Sequence, residues 1–579
     1  MTSWQRLSAF GLATWLAMIA GVGNAADSDP SVIRKDLKAR GLAVQRATAE
    51  SAAAGARFTL LRDIEYARYG DRVLKADVFL PTGEAKRPRP GVLVVHGGGW
   101  LKGSREKFHH LAAGLAVRGY VAVAISYRLG GEAKFPAAIH DCNAATRWLR
   151  SSAKRFHVDP MRIGAVGGSA GGHLVGLMAA APHIKSLQGT GGNPDVSSHL
   201  QAAVVLAGPM QLTTGSVARK SREQPDESNA NKWFGKTLDQ APELYRLAAP
   251  FTHFSAQTPP MMFLRGEYDA PAVNTASRAR LAKHGVETAV GVYARGRHGC
   301  WNQYPWQGVM LEDIDAFLAQ KLGKPSTGVA LAWKSAWMQD PMVRVSRGES
   351  HIDLEVISGG VANRVLKLPR LNNPVKTVEL INPEVRDPKR GAPRLAIVPK
   401  VSHWEIKLPT LALQNPPRIR IITVGRPWSG RLGRVVVPSP ATSSRIVLPA
   451  HDANIVGKNL RYEPQPHKNT VGYWSRVEDW CWWQVYVERP GRYEVGVLQG
   501  CGKGHGGSRV AIKLAGQSVG FDVEDTGGFQ AFRRRTVGTV TIAQAGLYRF
   551  EVRPVSKKSI AVMDIREATL TRVGETAAK

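Results

Sequence analysis

Ser169, which lies between glycines in the segment Gly167–Gly171, constrains the fold of this chain more than any other residue. An apolar run that begins at Ile163 precedes it, and a helix-like run from His173 to Ala181 follows it. This order predicts a strand, a tight turn and a helix, with the serine hydroxyl exposed at the turn. Small neighbours are needed there because the backbone is strained and the adjoining elements lie close. The pattern alone is weak evidence, since a chain with 59 glycines contains such matches by chance.

A second glycine-rich turn, His96–Gly99, follows the apolar run Val92–Val95. A continuous apolar run of this kind is typical of a strand buried on both faces of a parallel sheet. Glycines then allow bare backbone N–H groups to approach a ligand, and such groups can donate hydrogen bonds to an oxyanion. The alternative is a glycine-rich turn without chemistry. The predicted donors of the oxyanion hole are the amides of Gly98, Gly99 and Ala170, with Gly97 as a substitute.

A nucleophilic serine needs a general base, and the base needs an acid that orients it. The predicted strand 260–266 is followed by Glu267 and Asp269, at the edge of the sheet where open α/β folds keep their sites. A further short predicted strand leads to His298. The chain order Ser169, Asp269, His298 therefore predicts a catalytic triad, with Glu267 as the alternative acid.

Residues 58–323 resemble the α/β-hydrolase superfamily, in particular the secreted esterases with an HGGG loop, which include acetyl esterases and feruloyl and acetyl xylan esterases. The resemblance implies a mostly parallel sheet covered by helices, and a serine esterase that works through an acyl-enzyme. No HExxH motif and no paired CxxC motif occurs in the sequence, so we expect neither a catalytic metal nor another cofactor. Further matching segments lie at 126–129, 135–141, 148–150, 159–163 and 169–174.

Other histidines near these motifs have structural roles in this interpretation. His96 is expected to order the oxyanion loop rather than to titrate during catalysis. His173 lies four residues beyond the predicted nucleophile, on its helix, and is expected to pack or to hydrogen-bond there.

The N-terminal residues 1–25 have the pattern of a signal peptide. A basic residue precedes an apolar stretch from Leu7 to Val22, and the small residues Gly23 and Ala25 suit a signal peptidase. A retained membrane anchor is the alternative. No other run approaches the ~18 apolar residues that a spanning helix needs. We therefore expect a secreted or periplasmic protein without stable membrane insertion, in which residues 26–57 form a charged leader segment.

The formal net charge of +32 does not decide the function. Basic residues are dispersed and no nucleic-acid-binding module accompanies them, so no nucleic-acid partner is predicted. Attraction to an acidic polysaccharide or to a charged cell envelope is one interpretation. A general bias of composition toward arginine is the other.

After a predicted linker at Gly323–Gly328, strand patterns separated by turns replace helical ones. The region 329–430 resembles the small C-terminal β-sandwich of fucosidase-type glycosidases, and the region 445–575 resembles galactose-binding-like sandwiches of the carbohydrate-binding-module kind. The predicted fold class is therefore an α/β hydrolase followed by two all-β, sandwich-like domains. The segments that carry these resemblances are 366–375, 404–409, 418–424, 472–474, 480–483, 490–493, 526–529 and 563–566.

Tryptophans in the last region are candidates for stacking on sugar rings, because their flat apolar faces match the C–H surfaces of pyranoses. Strand alternation places Trp480 and Trp482 on one face and Trp483 on the other, and at least one of these faces belongs to the core. The region is either a glycan-binding domain or a structural spacer. The candidate sugar-binding residues are Trp474, Trp480, Trp482 and Trp483.

Export permits disulfide bonds among the four cysteines. Alternating strands on both sides of Pro490–Gly491 predict a hairpin, whose register brings Cys481 close to Cys501. A disulfide between these two residues is therefore predicted. Cys142 and Cys300 remain as a second candidate pair, which would brace the loop of the predicted base.

The predicted function is that of a secreted serine carboxylic-ester hydrolase which deacetylates or deferuloylates plant or algal polysaccharides. Its predicted partner is an acylated polysaccharide or oligosaccharide. A lipid or small-ester esterase and a serine peptidase of the same superfamily are alternatives. A glycan-binding protein with an inert hydrolase domain is the alternative from another class.

Overall fold

A computed structural model describes most of the chain. The predicted signal peptide, residues 1–25, lies outside the described residues, as does the predicted linker beyond Gly323. No helix within the described part is both long enough and apolar enough to cross a bilayer. The described residues are 45–53, 58–83, 85, 87–269, 274–293, 295–304, 306–323, 343–348, 350–356, 365–401, 403–408, 415–425, 427, 435–436 and 444–573.

An eight-stranded sheet forms the centre of the N-terminal half. In chain order the strands of this half are β1 (Gln45–Arg46), β2 (Phe58–Tyr69), β3 (Arg72–Pro81), β4 (Arg89–Val95), β5 (Val121–Ile125), β6 (Val158–Gly168), β7 (Ala202–Leu206), β8 (Met261–Gly266), β9 (Thr288–Tyr293) and β10 (Gln303–Tyr304). The sheet order is β2-β3-β5-β4-β6-β7-β8-β9, while β1 pairs with β10 apart from it. The six strands from β5 to β9 in this order run parallel, and β3 is antiparallel to both of its neighbours.

Helices cover both faces of this sheet. Alternation along β4 sends Leu93 and Val95 into the apolar core on one face, and Val92 and Val94 into the core on the other. A strand with apolar side chains on both faces is stable only between two such layers, which explains its unbroken apolar sequence. The helices are α1 (Ala49–Ala52), α2 (His109–Ala116), α3 (Ala137–Ser151), α4 (Ala153–Phe156), α5 (Ala170–Ala180), α6 (Lys185–Gln188), α7 (Gly215–Glu223), α8 (Asn229–Phe234), α9 (Pro242–Ala248), α10 (Pro250–His253), α11 (Thr275–Lys283) and α12 (Trp306–Leu322), with 3₁₀ turns at Arg105–Phe108 and Cys300–Asn302.

The parallel-rich sheet between helices fits the predicted α/β-hydrolase fold. Parallel strands end at the same edge, so the loops after β4, β6, β8 and β9 emerge on one side of the sheet. These are the loops that carry the predicted site.

The C-terminal half is rich in strands, and its described residues form four further sheets. The first two have the orders β11-β12-β17-β14 and β13-β16-β15, and buried side chains of both belong to one apolar core. Their strands are β11 (Val343–Arg347), β12 (His351–Val356), β13 (Val365–Pro369), β14 (Val375–Leu380), β15 (Ile397–Pro399), β16 (His403–Lys407) and β17 (Arg418–Thr423), with a 3₁₀ turn at Pro383–Val385.

Two six-stranded sheets follow. One has the order β18-β23-β28-β25-β26 with β20 paired to β23, and the other has the order β21-β22-β29-β24-β27 with β19 paired to β29. Their strands are β18 (Val435–Val436), β19 (Arg445–Pro449), β20 (Asn454–Val456), β21 (Arg461–Glu463), β22 (Thr470–Gly472), β23 (Trp480–Val487), β24 (Gly491–Cys501), β25 (Arg509–Leu514), β26 (Gln517–Asp522), β27 (Gly528–Ile542), β28 (Gly546–Ser556) and β29 (Asp564–Arg572), with a 3₁₀ turn at Ala450–Asp452.

The hairpin predicted around Pro490–Gly491 is wrong, although both of its strands exist. β23 pairs with β28 in one sheet, whereas β24 pairs with β27 and β29 in the other. Gly491 has φ 144°, a backbone conformation that favours glycine, and the connection at this residue passes from one sheet to the other. Alternating apolar residues determine which face of a strand is buried, but they do not determine its neighbour in the sheet.

The predicted disulfides are also wrong, because all four cysteines are free and buried. Cys481 and Cys501 lie in strands of different sheets. Cys142 and Cys300 belong to the apolar cores on opposite faces of the hydrolase sheet. Burial raises the pKa of all four thiols above the usual value, which keeps them protonated and unreactive.

Candidate active site

Ser169 lies on the turn between β6 and α5, and its backbone has φ 55° and ψ −119°. Its amide donates a hydrogen bond to the carbonyl oxygen of Leu206 at 2.7 Å, which fixes the turn against β7. A Cβ atom on Gly167 would overlap the carbonyl oxygen of Gly171, and one on Gly171 would overlap that of His96. The strand–turn–helix arrangement predicted around the serine is therefore present, and it requires the glycines.

Three side chains from three loops meet at this edge of the sheet. Nε2 of His298 lies 2.9 Å from Oγ of Ser169, and Nδ1 of His298 lies 2.7 Å from Oδ1 of Asp269. With the proton on Nδ1, the imidazole donates to the carboxylate and accepts the serine hydroxyl at Nε2. The side chain of His298 is 54% exposed and that of Asp269 only 9%, so the base is open to a substrate while its acid is shielded.

The loops after β8 and β9 are bound to each other through their backbones. The amide of Glu267 donates to the carbonyl of Tyr293, and the amide of Tyr268 donates to the carbonyl of Gly296, both at 2.9 Å. A Cβ atom on Gly266 would overlap the carbonyl oxygen of Gly296. This close approach sets the separation between the acid loop and the histidine loop.

Asp269, and not the alternative Glu267, faces the histidine. The carboxylate of Glu267 accepts a hydrogen bond from the amide of Arg295 at 2.6 Å. The second carboxylate oxygen of Asp269 accepts one from the amide of Gly266 at 3.3 Å, and this contact orients the carboxylate. Glu267 thus binds the backbone of the loop that carries His298.

The glycine loop after β4 lies directly against the serine turn. A Cβ atom on Gly97 would lie 2.5 Å from the carbonyl oxygen of Gly168 and 3.1 Å from Cβ of Ser169. Gly98 and Gly99 have φ values of 131° and 61°, which side chains would disfavour. The loop is therefore close enough to the nucleophile for the predicted oxyanion role, and which amides donate remains a prediction.

His96 contacts the backbone of the glycine loop. Its Nδ1 lies 2.9 Å from the carbonyl oxygen of Gly97, and its ring stacks on that of Tyr127 with centroids 4.3 Å apart. The hydroxyl of Tyr127 donates to the carbonyl of His96 at 2.9 Å. Burial lowers the pKa of His96 to about 4, so this ring is neutral and its role is structural.

His173 is also buried and fixed in one orientation. Its Nε2 lies 2.8 Å from the carbonyl oxygen of Ala248, and its Nδ1 accepts a hydrogen bond from Nε1 of Trp100 at 3.2 Å. Trp100 stacks on Trp233 with centroids 4.9 Å apart. Burial lowers the pKa of His173 to about 4, which agrees with a neutral packing residue. Trp100 directly follows the glycine loop, and this position is the signal that could have identified it.

Trp301 is a site residue that sequence reasoning missed. Its ring lies 5.1 Å from that of His298 at an interplanar angle of 82°. A Cβ atom on Gly168 would lie 2.8 Å from Nε1 of Trp301, so the indole packs against the serine turn as well. The carbonyl of Trp301 lies 3.0 Å from Nε2 of His110, a buried ring. A tryptophan so soon after the predicted base in the sequence is the available signal.

Two of the four candidate sugar-binding tryptophans are excluded by burial. Trp474 and Trp483 are fully buried, and their indole N–H groups donate to the carbonyls of Asp479 and Pro449, each at 2.7 Å. Trp480 and Trp482 are half-buried on the opposite face of β23, as alternation predicts. Only these two remain as candidates.

No group of three or more histidines, cysteines, aspartates or glutamates is arranged to hold a metal ion within the described ranges.

Two family models match the chain. The BD-FAE model matches residues 76–284, and a domain of unknown function, DUF5077, matches residues 459–574. The first match covers the glycine loop, the serine and the acid, and the second lies within the predicted last domain.

Two curated relatives from Mycobacterium tuberculosis match part of the chain. The protein named probable carboxylic ester hydrolase LipM is 32% identical over 222 residues, which cover 36% of this chain and 48% of the relative. Esterase LipC is 29% identical over 206 residues, which cover 35% of this chain and 50% of the relative. The chain thus spans about half the length of the curated relatives it matches. These matches support an α/β-hydrolase esterase.

Among solved structures, a truncated carbohydrate esterase from gut microbiota is similar with a TM-score of 0.41 and 22% sequence identity, over 46% of this chain and 97% of its own.

Proposed function

We propose that this protein is an exported serine carboxylic-ester hydrolase that removes acetyl or feruloyl groups from plant or algal polysaccharides. The observation that carries the proposal is the continuous contact from Ser169 Oγ through the imidazole of His298 to the carboxylate of Asp269. A serine hydroxyl is a weak nucleophile unless a base accepts its proton, and this geometry supplies both the base and its orienting acid.

In the proposed reaction, Oγ of Ser169 attacks the ester carbonyl carbon while Nε2 of His298 takes the hydroxyl proton. The carbonyl electron pair moves to oxygen, and the oxyanion accepts hydrogen bonds from backbone amides. Collapse of this intermediate breaks the bond to the alcohol, which leaves with the proton from His298. Water then attacks the acyl-enzyme while Nε2 of His298 takes its proton. Collapse of the second intermediate breaks the bond between the acyl carbon and Oγ of Ser169, releases the carboxylic acid and returns the proton from His298 to Oγ. Asp269 stabilises the imidazolium in both halves of the reaction. The proposed amide donors are those of Gly98, Gly99 and Ala170, with Gly97 as the substitute.

The relatives support ester hydrolysis over the alternatives, since two of them are named as ester hydrolases. The intact distances among the three side chains argue against an inert hydrolase domain. A small-ester substrate is an outcome of the test below.

The polysaccharide part of the proposal rests on Trp480 and Trp482. Cζ of Arg553 lies 3.4 Å from the ring centroid of Trp480, and Cζ of Arg549 lies 4.5 Å from that of Trp482. Both guanidinium groups approach the carboxylate of Glu551, at 2.7 Å and 3.6 Å respectively. Two cations beside one anion, between aromatic rings, favour a glycan that carries acidic groups over a neutral one.

Glycan binding is tested in the Ser169→Ala background, which leaves the acyl groups in place. We expect native affinity gels containing acetylated pectin to retard this protein more than gels containing neutral xylan. The Trp480→Ala/Trp482→Ala pair should abolish the difference. Equal retardation of the two proteins would contradict a role of this face in binding.

Hydrolysis is tested by measuring acetate and ferulate released from acetylated xylan, pectin and algal polysaccharides, with 4-nitrophenyl acetate as a small ester. Ser169→Ala should reduce turnover by several orders of magnitude and abolish labelling by a fluorophosphonate, with an unchanged circular dichroism spectrum. An active Ser169→Ala protein, or a wild type that resists the label, would contradict the serine mechanism. Activity on short esters alone would contradict the polysaccharide substrate.

A further inference from the structure

The C-terminal half packs against the hydrolase sheet beside the loops of the candidate site. Tyr486 of β23 forms an apolar contact with Val292 of β9, and Leu547 of β28 packs against the same contact. β9 leads to His298, and its neighbour β8 leads to Asp269. A strand of the C-terminal half therefore reaches the two strands that present the base and the acid.

Arg265 joins this contact to the acid loop. It lies near the end of β8, is only 5% exposed, and its Cζ lies 4.7 Å from the ring centroid of Tyr486. Its Nη1 donates to the carbonyl oxygen of Asp269 at 3.3 Å. One buried guanidinium thus contacts both the aromatic ring of the C-terminal half and the backbone of the predicted acid.

A buried ion pair fixes the two halves at the same place. Arg278 of α11, the helix after the acid loop, pairs with Glu488, which follows β23. Their side chains are 1% and 4% exposed. Burial raises the pKa of Glu488 and lowers that of Arg278, although the partner's charge acts in the opposite direction on each. Because two paired charges inside a contact tolerate little displacement, this pair holds Tyr486 in register with Arg265.

We propose that Tyr486 is a positioning residue of the esterase, which acts through Arg265 to hold Asp269 against His298. The proposal rests on the proposed function. A displacement of about 1 Å at a residue away from the chemistry can cost on the order of 100-fold in rate, since the reacting groups must be held in near-attack geometry. The ring of Tyr486 limits the movement of Arg265, and Arg265 in turn holds the carbonyl of Asp269.

The test compares Tyr486→Leu with Tyr486→Phe in the full-length chain. Leucine keeps apolar volume against Val292 but removes the π face, whereas phenylalanine keeps the ring. For 4-nitrophenyl acetate, we expect Tyr486→Leu to lower kcat by roughly 5- to 20-fold with KM within about twofold. The rate of fluorophosphonate labelling of Ser169 should fall in parallel. Tyr486→Phe should restore both to within about threefold of wild type.

Phe532→Leu is the matched control. Cζ of Arg566 lies 3.8 Å from the centroid of Phe532, so this variant removes a similar contact from the other sheet of the same pair. We expect its kcat to equal that of wild type. If Tyr486→Leu does not fold by circular dichroism, Arg265→Gln, which leaves the tyrosine in place, should show the same loss of kcat.

An equal loss in the leucine and phenylalanine variants would assign the contact with Arg265 to the hydroxyl and overturn the role of the ring face. Wild-type kcat in Tyr486→Leu would overturn the proposal as a whole. So would an equal loss in Phe532→Leu, or a change confined to KM. Ser169→Ala, assayed in parallel, separates failure of the proposed function from failure of the positioning role. Residual activity of Ser169→Ala would overturn the proposed function itself. An inactive Ser169→Ala beside a fully active Tyr486→Leu would overturn only the positioning role.

Discussion

The backbone of Ser169 has φ 55°, and the residue lies at the tight turn between β6 and α5. Residues with side chains adopt such a conformation only when the surroundings enforce it, and the strain commonly marks a functional site. Here the enforcement comes from glycines whose missing side chains let β6, α5 and the glycine loop meet. The result is a serine hydroxyl that projects towards His298.

The two carboxylates after β8 give a direct test of the triad. Asp269→Asn should lower kcat by about 10³- to 10⁴-fold, because an amide at this position no longer stabilises the imidazolium and favours the wrong tautomer. Glu267→Gln is the matched control, since its side-chain oxygen can still accept the hydrogen bond from the amide of Arg295. We expect its kcat on 4-nitrophenyl acetate to remain near wild type. The reverse ranking of the two variants would show that Glu267 is the acid.

The meeting of Ser169, Asp269 and His298 was predictable, because each follows a strand pattern and the three occur in a known chain order. The contacts around these three residues were not predictable. Trp301 and Trp100 lie close in sequence to His298 and to the glycine loop, but only the fold shows that their rings contact those of His298 and His173. Contact between Arg265 and Tyr486 depends on how two distant parts of the chain pack, and local periodicity carries no information about such packing.

β23 shows how far a strand can be predicted from its residues. Alternation correctly placed Trp480 and Trp482 on one face and Trp483 on the other, and the structure shows that the face of Trp483 is the core face. The partner strand was wrong, because β24 on the far side of Gly491 belongs to the other sheet. Apolar residues alternate along a strand in the same way whether the next strand pairs with it in a hairpin or lies in another sheet. Alternation therefore does not identify the neighbouring strand.

Because the four cysteines are free and lie in separate layers, we expect reductants to leave the stability of the protein unchanged. The thermal unfolding temperature should be the same with and without dithiothreitol, since no disulfide links the unfolded chain. A thiol reagent should label none of the four cysteines in the folded protein and all four in guanidinium chloride. A shift in the unfolding temperature, or fewer than four thiols after denaturation, would contradict the placement.

Asp564 at the start of β29 predicts a pH-dependent stability. Burial and the charge of Glu463 raise its pKa to about 8, against 3.8 for an ordinary aspartate. Between these values the folded protein keeps a proton that the unfolded chain has released, so stability is full below pH 4 and falls as the pH rises towards 8.

Asp564→Asn should remove this loss, because an amide does not ionise. Measured by guanidinium unfolding, the wild type should lose on the order of 4 kcal/mol more than the variant between pH 5 and pH 8. Equal losses in the two proteins would mean that Asp564 is already ionised in the folded state.

As a whole, the molecule is a parallel-rich sheet between helices, followed by strand-rich layers that share one core. Buried residues from Val343 to Leu570 belong to a single apolar cluster, which includes both six-stranded sheets and the two smaller ones. The boundaries 329–430 and 445–575 remain predictions. Composition and turn patterns indicated the change from helices to strands, but they could not show that the layers join.

The ion pair between Arg278 and Glu488 predicts that the two halves stabilise each other. Glu488→Gln should destabilise the protein by about 3–5 kcal/mol, because it leaves a buried guanidinium without its counter-charge. Glu243→Gln, which removes an exposed ion pair with Arg246, should cost less than about 1 kcal/mol. Guanidinium unfolding measures both. Similar small losses would indicate that Arg278 reaches water when Glu488 is absent.

During translation, the strands that lead to Asp269 and His298 are synthesised before β23, the strand that carries Tyr486. At usual rates of translation, Arg265 emerges roughly 10–40 s before Tyr486, and domains generally fold in the order in which they are made. The nascent hydrolase therefore assembles with an acid loop that still lacks its aromatic neighbour. On the positioning proposal, full esterase activity is a property of the finished chain, and unfinished chains remain weak enzymes.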